Sequence, residues 1–192
     1  MKAIIFDIDG VIIKSNSAKK EITKKILKKH NLYDIPGVKK ILSRGLNRKV
    51  NIELIYELQQ FDKEKVLEDI NYENSIIESN PIENEKVVNF IKNNFEKYIF
   101  CTNTAMPSLS GNRVIEALGI SGFFNDILGY EDGDKVENVK YILDKYNLSP
   151  KDVLFIDDNI NHIEKVKVTG VNTLYFTDYN IDLEEEIEKI NF

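Results

Sequence analysis

KAIIFDIDG, residues 2–10, decides the fold. From Lys2 to Asp7 the run is short, unbroken and apolar and ends in acid, the pattern of a strand buried on both faces of a parallel sheet. The pattern returns in KYIFCT at residues 97–102 and in DVLFID at residues 152–157. VNTLYF at 171–176 reads as a fourth strand and residues 126–128 as a short fifth. Helical periodicity fills residues 83–95, 111–118, 135–146 and 160–168. Strands alternating with helices require crossover connections, so the expected class is α/β with a doubly wound, Rossmann-like parallel sheet.

Residues 14–80 break the alternation. They contain no strand pattern, but three or four amphipathic helices near 17–30, 38–43, 48–59 and 63–77. Ile22, Ile26 and Leu27 mark the apolar stripe of the first, and Ile52, Ile55, Tyr56 and Leu58 that of the third. Such a block is too long for one crossover. The expected organisation is a core of residues 1–14 and 81–192 with a small helical domain, 15–80, inserted after the first strand. Pro81 would stiffen the exit hinge.

Composition narrows the class. Of 192 residues, 42% are hydrophobic and 30% charged, a globular balance that excludes a disordered or fibrous chain. No apolar run reaches the roughly 18 residues of a membrane span, and the first residues run straight into acid, unlike a secretion signal. Cys101 is the one cysteine, which excludes an internal disulfide and a multi-thiolate zinc site and fits a reducing, cytoplasmic setting. Acidic residues outnumber basic ones by 32 to 26, so neither nucleic acid nor a membrane is an expected partner. The lysines clustered between Lys14 and Lys49 read as a solvated helix face, and Cys101 as packing.

In an open parallel sheet a ligand binds at the carboxyl ends of the strands, where loops and helix N-termini converge. The polar residues that follow the apolar runs are Asp7 and Asp9, then Thr102 and Asn103, then Asp157 and Asp158. Lys135 opens the helix between the last two strands. Four carboxylates crowded together repel unless a cation joins them, most simply magnesium held by oxygen ligands. A lysine and a hydroxyl beside it imply a phosphate.

On these residues the chain resembles the haloacid dehalogenase superfamily, in the branch with a helical cap inserted after the first strand, similar to phosphoglycolate phosphatases and β-phosphoglucomutases. Asp7-Ile8-Asp9-Gly10-Val11 matches its first motif, Thr102 the second, Lys135 the third and Asp157-Asp158-Asn159 the acidic fourth. The resemblance implies that Asp7 is the nucleophile, forming an aspartyl phosphate, and that Asp9 is the general acid and then base. Thr102, the backbone N–H of Asn103 and Lys135 would hold the phosphoryl group. Mg2+ would be bound by Asp7, the Asp9 carbonyl and Asp158, with Asp157 and His162 behind them. Proline often follows the motif lysine, whereas this chain has Val136. His162 stands where many relatives carry an acid or asparagine.

Within the cap, LSRGLNR at residues 42–48 resembles a specificity loop in which Gly45 turns and Arg44 and Arg48 reach an anionic part of the substrate. The implied function is a magnesium-dependent phosphatase acting on a small phosphorylated metabolite, as monomer or homodimer. The alternatives are a sugar-phosphate mutase and a non-catalytic binding or regulatory protein of the same fold.

Overall fold

A computed structural model describes residues 1–44, 46, 48–190 and 192; the turn expected at Gly45 lies outside the described residues. The chain divides into two compact units, one of Met1–Lys14 with Glu78–Phe192 and one of Ser15–Ile77.

The first unit is built on five parallel strands, β1 (Lys2–Phe6), β2 (Tyr98–Asn103), β3 (Asp126–Leu128), β4 (Val153–Asp157) and β5 (Asn172–Tyr175). They run in the order β3-β2-β1-β4-β5, so the first strand lies at the centre. Its alternating side chains feed two cores. Ile4 and Phe6 pack with Val87, Phe100 and Val114, while Ala3 and Ile5 pack with Cys101, Val139, Phe155 and Val166. That two-sided burial is why KAIIF carries no polar residue after Lys2, and each large side chain withdrawn from water there contributes about 1.5–3 kcal/mol. Helices α5 (Glu85–Asn94), α6 (Ser108–Ala117) and α9 (Leu183–Lys189) contribute to the first core, and α7 (Lys135–Lys145) and α8 (Ile160–Val166) to the second.

The second unit holds α1 (Asn16–Lys29), α2 (Val38–Leu42), α3 (Arg48–Leu58) and most of α4 (Lys63–Ser79). Its core joins Ile26 and Leu27 to Val38, Ile41, Ile52, Ile55, Val66 and Ile70. Leu58, read from the sequence as part of the buried stripe, is instead exposed at the last position of α3. Among the described residues no helix is long and apolar enough to cross a membrane.

Where the chain leaves β1 it makes a tight turn. The N–H of Gly10 donates to Ile13 O at 2.9 Å and that of Ile12 to Ile8 O at 3.0 Å. Gly10 adopts φ +81°, a conformation a Cβ would strain. The segment preceding α5 closes against this turn: Lys14 N–H donates to Ile82 O at 2.8 Å, Ile13 bridges Glu83, and buried Asn84 donates from its backbone to Ile12 O and from Nδ2 to Val11 O.

Candidate active site

The sheet order brings three strand ends together. Phe6 is in register with Thr102 on one side and Ile156 on the other, so Asp7, Asn103 and Asp157 are neighbours one residue further along. Asp7 is fixed by its backbone N–H, which donates to Ile156 O at 2.8 Å. Asp157, the last residue of β4, is fully buried. Lys135 arrives from the first position of α7, a helix start held by Asp134, whose carboxylate accepts from the N–H groups of Val136 and Glu137 at 2.8 and 2.9 Å. Glu137 returns the bond to the N–H of Asp134 at 2.8 Å.

The Lys135 ammonium is saturated. Nζ lies 2.9 Å from Asp7 Oδ1 and 2.9 Å from Asp157 Oδ2, and also donates to Asn103 O. Three N–H groups meet three acceptors, which is what allows a lysine to be buried with its charge. Burial alone would lower its pKa, but Asp7 and Asp157 outweigh burial and raise it. Removing the ammonium would leave buried carboxylates uncompensated, a loss on the order of 3–5 kcal/mol.

The acids are not equivalent. Burial, the largest influence, pushes Asp7 up to about 8; Lys135 opposes it, while Asp157, Asp9 and Asp158 add to it. For Asp157, burial is outweighed by Lys135 and by His162, and its pKa is lowered. Asp157 Oδ1 also accepts from the N–H of Asn159 at 2.8 Å. Because an ionised carboxylate only accepts, His162 Nδ1 carries the proton in its contacts of 3.0 and 3.1 Å with Asp157.

Ligand atoms of Asp7, Asp157 and Asp158 lie within 4.8 Å of one another. One ammonium does not balance this cluster, and its hard oxygen donors could hold a divalent cation. The side chain of Asp9 is outside that trio, half-buried on the turn beyond β1. On the strand adjoining β1, in register with Phe6, the Thr102 hydroxyl is fully buried and has no hydrogen-bond partner among the described residues, a costly state for a donor unless a ligand completes it. The Asn103 side chain is engaged, with Nδ2 donating to Lys135 O at 2.9 Å. Arg44 is exposed in the second unit, and Arg48, half-buried there, donates to Asn71.

Two residues nearby carry no sequence signal. Asn84 holds the turn that presents Asp9, as described above. Tyr179 packs against Phe176 with ring centroids 6.3 Å apart, and burial first, then the charges of Asp158 and Asp9, raises its pKa.

A parallel sheet whose first strand is followed by a helical insert, with paired acids, a lysine and a threonine at its strand ends, defines a class of α/β hydrolase. The chain belongs to the haloacid dehalogenase-like hydrolase family, whose model matches residues 1–167. It is 31% identical over 98 residues to a phosphoglycolate phosphatase of Pasteurella multocida, a match covering 46% of this chain and 42% of that protein. It is 23% identical over 191 residues to a phosphorylated carbohydrates phosphatase of Thermotoga maritima, covering 91% of this chain and 84% of the relative. In fold it is similar to the Bacillus subtilis HAD-hydrolase YfnB, solved bound to magnesium, with a TM-score of 0.74, 18% identity and coverage of 100% and 99% of the two chains.

Proposed function

We propose that the protein is a magnesium-dependent phosphatase that hydrolyses a small phosphorylated metabolite through an aspartyl-phosphate intermediate. The observation that carries this reading is the buried ion pair of Asp7 and Lys135 at the acidic trio, with a buried Thr102 hydroxyl on the adjoining strand that has no partner among the described residues. The phosphatase names of the Pasteurella and Thermotoga relatives support the same reaction class.

A carboxylate oxygen of Asp7 attacks phosphorus, and the bond from phosphorus to the ester oxygen breaks. Asp9 gives its proton to the departing oxygen, which leaves as the alcohol. It then takes a proton from the water that attacks the acyl phosphate, releasing inorganic phosphate and restoring both acids. Thr102 and the backbone N–H of Asn103 hold phosphoryl oxygens, and Lys135 favours the ionised form of Asp7 against its burial and offsets the charge gathering between nucleophile and phosphate. Asp7, the Asp9 carbonyl and Asp158 would hold magnesium, which would supply charge neutralisation at the transferring group. Asp157, engaged by Lys135 and His162, orients the lysine.

The test is phosphate release from a panel of phosphate monoesters with and without magnesium, with a further arm of hexose 1-phosphate and a trace of bisphosphate. Magnesium-dependent free phosphate is expected. An isomeric sugar phosphate in place of free phosphate would make the enzyme a mutase, and no turnover of any ester would make the fold a binding protein.

A further inference from the structure

Behind the Lys135 ammonium lies a chain of buried amides that the proposed chemistry does not use. Asn138, one turn along α7 from Lys135, is almost entirely buried. The two N–H groups of its Nδ2 are shared among Asn103 Oδ1 at 3.1 Å, Gly129 O at 3.1 Å and Gly133 O at 3.2 Å. Asn103 in turn donates from Nδ2 to Lys135 O at 2.9 Å, and its own carbonyl accepts from Lys135 Nζ.

The polarity of this chain is determined by its ends. Gly129 O, Gly133 O and Lys135 O can only accept, so each amide must turn its nitrogen toward them, and Asn103 is left presenting its oxygen to Asn138. No member can rotate without breaking a bond elsewhere. The loop is shaped to admit it: a Cβ on Gly133 would come within 2.9 Å of Asn138 Oδ1.

We propose that Asn138 is a positioning residue for Lys135, resting on the phosphatase reading above. By fixing Asn103, it fixes both the carbonyl that takes one ammonium N–H and the amide that holds the lysine backbone. The remaining two N–H groups are thereby aimed at Asp7 and Asp157. Asn138 itself touches neither acid in these bonds. Its effect on turnover therefore passes through the ammonium and should vanish when the ammonium is gone.

The test is a double-mutant cycle on turnover of p-nitrophenyl phosphate with saturating magnesium, using Asn138→Leu, Lys135→Ala and the double variant. Misplacing a reacting group by about 1 Å costs on the order of a hundredfold, so Asn138→Leu should lower kcat about tenfold to hundredfold in the wild-type background. In the Lys135→Ala background it should lower kcat less than about twofold. A purely structural role would cost the same factor in both backgrounds and would overturn the proposal, as would full activity of Asn138→Leu. If Asn138→Leu does not fold, Asn103→Ala severs the same chain and is held to the same coupling. Full activity of Lys135→Ala would overturn the phosphatase reading and this proposal together, whereas additive losses overturn this proposal alone.

Discussion

His162 Nδ1 stands 3.0 Å from Asp157 Oδ2 and 3.1 Å from Oδ1, so the ring faces an acid that Lys135 already engages. The histidine therefore steadies Asp157, and in the proposed mechanism Asp158 is the acid that binds magnesium with Asp7. Loss of an outer partner costs roughly tenfold to hundredfold in metal affinity. Asp158→Ala should raise the half-saturating magnesium concentration by more than about a hundredfold, and Asp157→Asn and His162→Asn by no more than that outer-partner range. Magnesium titrations of activity decide it, and equal effects of His162→Asn and Asp158→Ala would make the histidine a ligand.

The two acids of the first motif should fail differently. Asp7→Asn leaves no carboxylate to form an acyl phosphate and should abolish turnover, while Asp9→Asn keeps the backbone carbonyl and loses the proton relay. Acid quenching after addition of labelled substrate should recover label on wild type and on Asp9→Asn, and none on Asp7→Asn. Label on Asp7→Asn would displace Asp7 as the nucleophile.

Without metal, Asp7 carries a pKa raised from 3.8 to about 8, burial being the main cause. Between those values the native protein keeps a proton that the unfolded chain has released, so stability falls as pH rises. The contribution is complete below about pH 4 and lost as the pH passes about 8. The Tm of metal-free wild type, measured against Asp7→Asn, should fall between about pH 5 and pH 8, because Lys135 and Asp157 are common to both proteins. Saturating magnesium, which competes with the proton for the carboxylate, should flatten the difference. A flat difference without metal contradicts the shift.

Two glycines give a contrast in stability. A Cβ on Gly129 would lie 2.2 Å from Ser108 N and 2.7 Å from Met106 O, both backbone atoms, whereas one on Gly122 would meet nothing within 4 Å. Gly129→Ala should cost at least about 1–3 kcal/mol in denaturant unfolding, because the backbone must shift to admit it. Gly122→Ala should stay within about 0.5 kcal/mol.

Cys101 gives a probe of local opening. Burial pushes its thiol up to about 12, with Asp126 adding to the effect. Alkylation at pH 8 should therefore be slow in the native protein and rapid in denaturant, since the thiolate is the reactive form. Fast native alkylation would show that the face of the sheet holding Val139 and Phe155 opens readily.

The sheet was legible because residues buried on two faces leave no room for polar side chains, so the runs ending at Asp7, Thr102 and Asp157 stand out. What stayed hidden depends on partners distant in sequence. Helix α6 begins at Ser108, before its apolar periodicity does, because Glu131 Oε1 accepts from the Ser108 N–H at 2.8 Å. Helix α9 has only Leu183 and Ile187 to bury, too few for a period to show. Within the site, residue types and their order marked the acids, Lys135 and Thr102. Nothing local marked Asn138, whose acceptors lie on residues 103, 129 and 133. Nor does sequence say that the Thr102 hydroxyl has no partner among the described residues.

The bond from Lys14 N–H to Ile82 O, with the bridge between Ile13 and Glu83, means that the chain leaves the first unit and returns to it at nearly the same place. Seen from the sheet, everything between is a loop whose ends are already joined. Closing a flexible loop becomes harder only with the logarithm of its length, about 0.6 kcal/mol for each doubling. Ser15–Ile77 is therefore exchangeable in principle: a longer or shorter folded segment grafted between the same two residues would leave the strand ends where they are. The chemistry at the sheet and the surface of the insert can then diverge at separate rates, one held still by packing and the other free to be replaced whole.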